Sequence, residues 1–433
     1  MRILYYLATA QRRLYWRRDK LRKFQEKRLR SVVNYAYRFV PYYHEKFKEA
    51  GISPSEIKTL EDLSKLPIVK KDELRIKDPS RLISVKFEPR KLKVVRTSGS
   101  TGKPFRVYLT GAEDDWRKAI YMRANISCGQ KPRDRWVAIT APHHFGDTTR
   151  LQQRLGFFAR VNVSVFSGLD NCVKLVSEAK PDVLDGYSGT LLLLARELDR
   201  RDLKTVNPRI IFGTAELIDD ASIKFIESVF DSPFYDQFGC VEVDRTAWQC
   251  PEKVGYHMDV DSVITQFVDS EGNEVSPGER GEIVYTSLFN YALPLIRYSV
   301  GDLGQYRLDE CPCGRVLPLM KVLEGRKDSF IVLPNNQLMS PRAFTVAMSM
   351  FSRYHDIEEF RIIQRKLDYM ELFVKTKKGC KGMHAFEKEL KEHFQKTLGL
   401  DKLGVTLSIN FVDEIPLSKT GKLNAVVSEV NVS

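Results

Sequence analysis

Between residues 136 and 237, short β-prone runs alternate with stretches of helical apolar spacing, and this alternation restricts the fold more than any other feature of the chain. Residues 136–140, 183–187, 209–212 and 233–237 read as strands, and 170–180, 191–200 and 221–230 as helices. Strands joined through helices of this length belong to an α/β sheet with covered faces. From residue 262 the pattern changes. Residues 263–268 and 281–287, linked through the polar turn Glu271-Gly272-Asn273, read as antiparallel strands. Residues 326–433 carry a separate α+β pattern of strand, helix, two strands, a helix over 384–397, a strand and a polar tail. At the other end, residues 12–51 read as helical and end near Gly51, and 53–90 alternate helical pieces with turns. The expected fold class is α/β. A large N-terminal domain, residues 1–325, combines parallel sheets with an antiparallel β subdomain behind a helical part over 1–90, and a small α+β C-terminal domain spans 326–433.

A chain of 433 residues with 43% hydrophobic content exceeds one simple core, which agrees with that division. No stretch has the length and purity of a membrane span. The apolar run Ile3 to Ala10 is followed at once by basic residues and lacks the core and cleavage site of a secretory signal, so a cytoplasmic protein is expected. The formal net charge is +13, and Arg12, Arg13, Arg17, Arg18, Lys20, Arg22, Lys23, Lys27, Arg28 and Arg30 crowd one segment, interleaved with Tyr15, Trp16, Leu21 and Phe24. Such a stripe suits contact with acidic lipid or nucleic acid; the plainer reading, the solvated face of an amphipathic helix, is favoured because a stripe alone carries no recognition code. The seven cysteines are an odd count in a chain without a signal, which argues against a disulfide framework.

Residues 97–104, Thr-Ser-Gly-Ser-Thr-Gly-Lys-Pro, lie between two β-prone runs, 92–96 and 105–109, ahead of a helical stretch over 113–126. Gly99 and Gly102 allow backbone N–H groups to turn toward an anion. Ser98, Ser100 and Thr101 add hydroxyl donors, and Lys103 adds a charge. The glycine spacing is shorter than in a Walker A loop, and Pro104 stands where Ser or Thr would bind magnesium.

This segment resembles the signature loop of the adenylate-forming superfamily of acyl-CoA synthetases, adenylation domains and luciferases. The later motifs follow in the same order, and the resemblance over nearly the whole chain is to the phenylacetate–CoA ligase family and its capsular-polysaccharide relatives. It implies the adenylate-forming ligase fold with a mobile small domain, and ATP-dependent activation of a carboxylic acid to its acyl-AMP. Thr97 to Lys103 would hold the phosphates. Gly213, Ala215 and Glu216, at the exit of a strand, would line the adenine pocket. In Phe238-Gly239-Cys240-Val241-Glu242 the aromatic ring would stack on adenine and Glu242 would hold magnesium and serve the catalysis. The family commonly has a hydroxyl residue where Val241 stands, so one phosphate hydrogen bond is missing or comes from elsewhere. Asp302, in Tyr298-Ser299-Val300-Gly301-Asp302, would accept from both ribose hydroxyls. Arg326 would contact ribose or phosphate, and Asp328 stands where the family places its hinge. Lys422 matches the catalytic lysine, a cation between two anions that must be joined. Read one at a time, each of these motifs is an ordinary turn or a solvated charge.

Cys250, His257, Cys311 and Cys313 form a Cys3His set suited to a closed tetrahedral zinc site, and similar sets occur with zinc in the phenylacetate–CoA ligase branch; the role would be structural. The bland alternative is a group of reduced buried cysteines, which is how Cys128, Cys172 and Cys380 read. His143, His144, Tyr187 and Ser188 each follow a strand and are candidates for the acyl pocket; the paired His could equally cap a helix. The resemblance favours an aryl acid and coenzyme A as acceptor. The stretch 330–341 departs from the common CoA-ligase pattern toward the capsular-polysaccharide relatives, which keeps a carrier thiol, an amine or a sugar open as acceptor. A non-catalytic nucleotide- or membrane-surface-binding protein is the third reading. The expected cofactors are ATP, Mg2+, coenzyme A and structural Zn2+. No nucleic-acid partner and no transmembrane segment are expected, and a homodimer is compatible with the sequence.

Overall fold

The computed structural model describes residues 2–96, 105–142, 145–146, 148–165, 167, 169–324, 331–335, 338–339, 343–344, 347–348, 350–377, 380, 382–415 and 425–430. They divide into two compact units, Met1–Pro132 with Tyr235–Leu323, and Arg133–Phe234 with Glu324–Ser433.

The first unit opens with helices Arg2–Arg13, Arg18–Phe39 and Pro41–Glu49. The helical region expected over 12–51 thus begins earlier and is broken twice. The second break is at Val40, which is extended at φ −119° and ψ 108° because a residue before proline is excluded from the helical region. Pro41 then starts the next helix at a position that needs no N–H donor. Gly51, at φ +66°, closes that helix where the sequence placed its end.

Several basic side chains of this segment are held by the protein itself. Arg13 Nε donates to Asp261 at 2.6 Å, and Arg28 lies 4.0 Å over the Phe289 ring and donates to the Leu288 carbonyl. Arg22 pairs with Glu26 and Glu61, and Arg18 with Glu310. Arg13 is thus a buried structural charge rather than part of a solvated face, while Lys23 and Lys27 are exposed as the plainer reading expects.

The strands of this unit run in the order Val263–Val268, Arg280–Ser287, Tyr298–Arg307, Leu319–Glu324, Tyr256–Met258, Asp244–Gln249, Phe234–Cys240. The first two pair antiparallel from Val263↔Ser287 to Val268↔Glu282, as expected. Their connection is shaped by Asp269, whose Oδ1 accepts from the Glu271 and Asn273 amides, and by Gly272 at φ +87°. Val69–Lys70 adds in parallel to the start of Tyr298–Arg307. Lys93–Arg96 and Arg106–Leu109 pair antiparallel with Arg96 opposite Arg106. The helix after them, Gly111–Ser127, starts on a reciprocal cap between Thr110 and Glu113.

In the second unit Arg160–Ser164, Trp136–Thr140, Val183–Tyr187 and Ile210–Thr214 form a run of parallel strands in that order. Their helices Leu169–Ala179, Ser188–Arg200 and Asp220–Phe230 share an apolar core that includes Ile139, Leu184, Leu191, Ile211 and Phe230. This is the expected α/β layering. The sequence reading missed Arg160–Ser164, whose partly exposed RVNVS run carries a weak apolar signal. The C-terminal region forms its own sheet, Thr406–Phe411, Tyr369–Thr376, Ile357–Lys366 and Val426–Ser428, packed on the helix Met383–Leu398. Among the described residues no helix is long and apolar enough to cross a membrane.

Candidate functional site

In the first unit, the strand Phe234–Cys240 turns back sharply into Asp244–Gln249. A register shift lies between Phe238 and Gly239, with Gly239 opposite Arg245 and Cys240 opposite Asp244. Gly239 is required there: a Cβ would stand 2.6 Å from the Arg245 Cα and collide with the Asp244 carbonyl. The turn delivers Glu242 inward. Its side chain has no solvent exposure, Tyr298 OH donates to Oε1 at 2.8 Å, and Lys71 Nζ lies 2.9 Å from the same oxygen. Asp302 follows Gly301, which sits at φ +84° and donates its amide to Ser299 Oγ at 3.2 Å. Glu242 and Asp302 act on common neighbours. Desolvation pushes the Cys240 thiol and the Tyr285 hydroxyl well above their ordinary values, and both carboxylates raise each further. Phe238, Gly239 and Glu242 thus share one turn, and Asp302, on the strand Tyr298–Arg307, acts on the same Cys240 and Tyr285 as Glu242 does. Lys71 was not singled out from the sequence, and Tyr298 stood there only as the first residue of the motif that carries Asp302. A lysine opening a short helix gives no signal until its strand is paired.

In the second unit, a second group of candidates gathers at the carboxyl ends of two neighbouring parallel strands, the usual place for ligands in such sheets. Gly186 stands opposite Gly213 and Tyr187 opposite Thr214. A Cβ on Gly213 would collide with the Phe234 ring and come within 2.8 Å of Ser188 Oγ. Ala215 takes φ +70°, and Glu216 Oε2 accepts from the Gly189 amide at 2.7 Å, at the positive end of the Ser188–Arg200 helix. Tyr187 belongs to the apolar core, with its hydroxyl 3.4 Å from the Ala141 amide. Ser188 is fully buried, with no hydrogen-bond partner for its hydroxyl among the described residues.

Cys250, His257, Cys311 and Cys313 bring their donor atoms within 4.8 Å of one another. Cys250 follows the strand Asp244–Gln249, and His257 lies on the next strand, pairing with Trp248 and Leu319. Cys311 and Cys313 come from a turn closed by the Gly314 amide onto the Cys311 carbonyl. Cys250 and Cys311 have their sulfurs 3.5 Å apart, and Cys313 Sγ is 3.3 Å from His257 Nε2. His257 Nδ1 lies 3.2 Å from the Leu317 carbonyl. A carbonyl only accepts, so Nδ1 carries the hydrogen and Nε2 offers its lone pair to the cluster. Burial lowers the His257 pKa to about 4, which keeps the ring neutral. The donor set and spacing fit a tetrahedral zinc ion.

Thr97, Ser98, Gly99, Ser100, Thr101, Gly102, Lys103, His143, His144, Arg326, Asp328 and Lys422 lie outside the described residues.

Residues 338–429 match the family model described as the CapK C-terminal domain. The chain is 26% identical over 437 residues to a phenylacetate–coenzyme A ligase of Thermus thermophilus, covering 95% of this chain and 97% of the relative. It is 30% identical over 335 residues to the phenylacetate–coenzyme A ligase of Escherichia coli K12, covering 73% of each chain. Among solved structures it is similar to 2-hydroxyisobutyryl-CoA ligase in a postadenylation state, with a TM-score of 0.79 at 23% identity over 96% of this chain and 91% of the other. That likeness establishes the adenylate-forming ligase fold. With 30% identity to the Escherichia coli enzyme across 73% of each sequence, the chain belongs to the phenylacetate–coenzyme A ligase family.

Proposed function

We propose that the chain is an AMP-forming acid–coenzyme A ligase. A carboxylate oxygen of the acid attacks the α-phosphorus of ATP, the bond to the bridging oxygen breaks, and pyrophosphate leaves. The coenzyme A thiolate then attacks the carbonyl carbon of the acyl-AMP, and AMP departs as the thioester forms. The observation that carries this reading is the fully buried Glu242 on the turn after Phe238–Gly239 in a member of this family.

In this reading Asp302 accepts from the ribose hydroxyls and Phe238 covers one face of the adenine. Gly213, Ala215 and Glu216 serve the adenine as well, and Thr97 to Lys103 with Arg326 bind phosphate and ribose. Tyr187, Ser188, His143 and His144 border the acid, which the resemblance makes aryl. Residues 326–433 act as a small mobile domain hinged at Asp328, and Lys422 stands between acid and α-phosphate, where a cation reduces anion repulsion. Magnesium, when bound, neutralises phosphate charge beside Glu242, whose carboxylate is a suitable hard donor. Zinc, held by Cys250, His257, Cys311 and Cys313, is structural, because four protein ligands leave no open position. A cytoplasmic location belongs to the same reading.

A second reading takes a carrier thiol, an amine or a sugar as acceptor in place of coenzyme A, on the departure of the 330–341 sequence from the common CoA-ligase pattern. The test is acid-dependent exchange of labelled pyrophosphate into ATP across a carboxylic-acid library, with Lys422→Ala as control. Mass spectrometry of products formed with coenzyme A and with the other acceptors then separates the two readings. No exchange with any aryl or alkyl acid would overturn both.

A further inference from the structure

Glu242 already faces a cation. Val69–Lys70 pairs in parallel with Tyr298 and Ser299, and the Val69 amide donates to the Arg297 carbonyl at 2.8 Å. The chain turns into the short helix Lys71–Arg75 directly after this pairing, so Lys71 is anchored beside Tyr298. Its ammonium lies 2.9 Å from Glu242 Oε1, and its side chain is 12% exposed against 0% for Glu242. The Tyr298 hydroxyl donates to the same oxygen. A carboxylate without solvent contact is tolerated only with its charge met, and here the protein meets it. A divalent ion held by Glu242 would share one carboxylate with the ammonium, and like charges brought together there repel strongly in a poorly solvated site. Two cations that favour one carboxylate and repel each other bind antagonistically, and the antagonism is reciprocal.

We propose that Lys71 is the resident counter-cation of Glu242, that it competes with divalent metal for this carboxylate, and that it thereby sets the metal affinity of the nucleotide site. Lys71 acts through Glu242 and is a positioning residue. The proposal rests on the reading of Glu242 as the metal-holding carboxylate. It differs from a purely structural ion pair in the sign of one effect: removing the ammonium must tighten metal binding, because the buried carboxylate loses its competitor.

The experiment uses the full chain with α,β-methylene-ATP and Mn2+, with free Mn2+ read by its paramagnetic resonance signal. Lys71→Met is expected to lower the half-saturating Mn2+ concentration about tenfold, and Lys71→Arg to bring it back toward the unaltered value. Glu242→Gln should abolish the site in either background. Should Lys71→Met fail to fold, Lys71→Gln, which keeps a donor without the charge, carries the same expectation. On the unaltered chain, saturating Mn2+ should speed acetylation of Lys71 by an amine-reactive ester severalfold, read by peptide mass spectrometry. Unchanged or weaker Mn2+ binding in the Lys71 variants, or an unchanged acetylation rate, overturns the proposal and leaves the metal role of Glu242 standing. A chain whose Mn2+ binding does not respond to Glu242→Gln overturns that metal role, and the proposal with it.

Discussion

The Tyr298 hydroxyl donates a 2.8 Å hydrogen bond to Oε1 of Glu242, joining the first residue of one strand to a carboxylate delivered by a turn in another part of the chain. A donor to a buried ionised group contributes on the order of 1–3 kcal/mol. Tyr298→Phe is therefore expected to lower stability by about that amount in chemical denaturation. Glu242→Gln is expected to reduce acid-dependent pyrophosphate exchange about a hundredfold, since it removes charge where reacting phosphates must be neutralised. Exchange unaffected by Glu242→Gln would remove this carboxylate from the site.

The Cys3His cluster predicts one zinc per chain by elemental analysis of protein purified without added metal. Cys311→Ser or Cys313→Ser should lower zinc content and the melting temperature together. Prolonged chelation should reproduce the shift in the unaltered chain, because metal bound only to the folded state stabilises it by mass action. Full stability in a zinc-free preparation would count against a structural ion.

Gly239→Ala places a methyl group against the backbone of Asp244 and Arg245, which cannot yield as a side chain would. The expected cost is about 1–3 kcal/mol, with weakened nucleotide binding in calorimetric titration as the turn carrying Phe238 and Glu242 is displaced. An alanine variant with unaltered nucleotide affinity would show that the turn has slack.

Glu359 is 7% exposed, and desolvation lifts its pKa to about 7, against the lowering effect of Lys375 and Arg196. A carboxyl raised in the folded state contributes stability that is fully present below its unfolded pKa and is lost as pH rises through the folded value. The window is thus from the ordinary carboxylate range up to about 7, with stability falling as pH rises. Glu359→Gln should remove a pH-dependent loss on the order of 2 kcal/mol from the denaturation profile between pH 5 and 8. An unchanged slope would mean the carboxyl titrates normally.

Arg13 and Arg123 both reach Asp261, and Arg123 also reaches Asp259, in a network closed to solvent. Arg13→Ala is expected to cost about 3 kcal/mol or more by uncovering a buried carboxylate. Neutralising exposed Lys23 and Lys27 should change the melting temperature little. Equal effects would return the basic segment to the status of a uniform surface stripe.

Local pattern determined a good deal of this protein. The runs 136–140 and 183–187 became strands at those bounds, because β-branched and apolar residues between turn signals form buried strands wherever a sheet receives them. The hairpin around Gly272, the helix end at Gly51 and the motif order that marks the family were legible for the same reason: each depends on residues adjacent in the chain. Tertiary structure alone decided which distant groups meet. Lys71 is unremarkable in the sequence; only the parallel pairing of Val69–Lys70 with Tyr298 and Ser299 brings its ammonium to Glu242. The proton on His257 Nδ1 likewise follows from the Leu317 carbonyl that strand pairing sets beside it. Composition and spacing record which charges a chain carries, but whether a charge is paired, buried or contested depends on distances across the fold, where a low dielectric makes each ångström count.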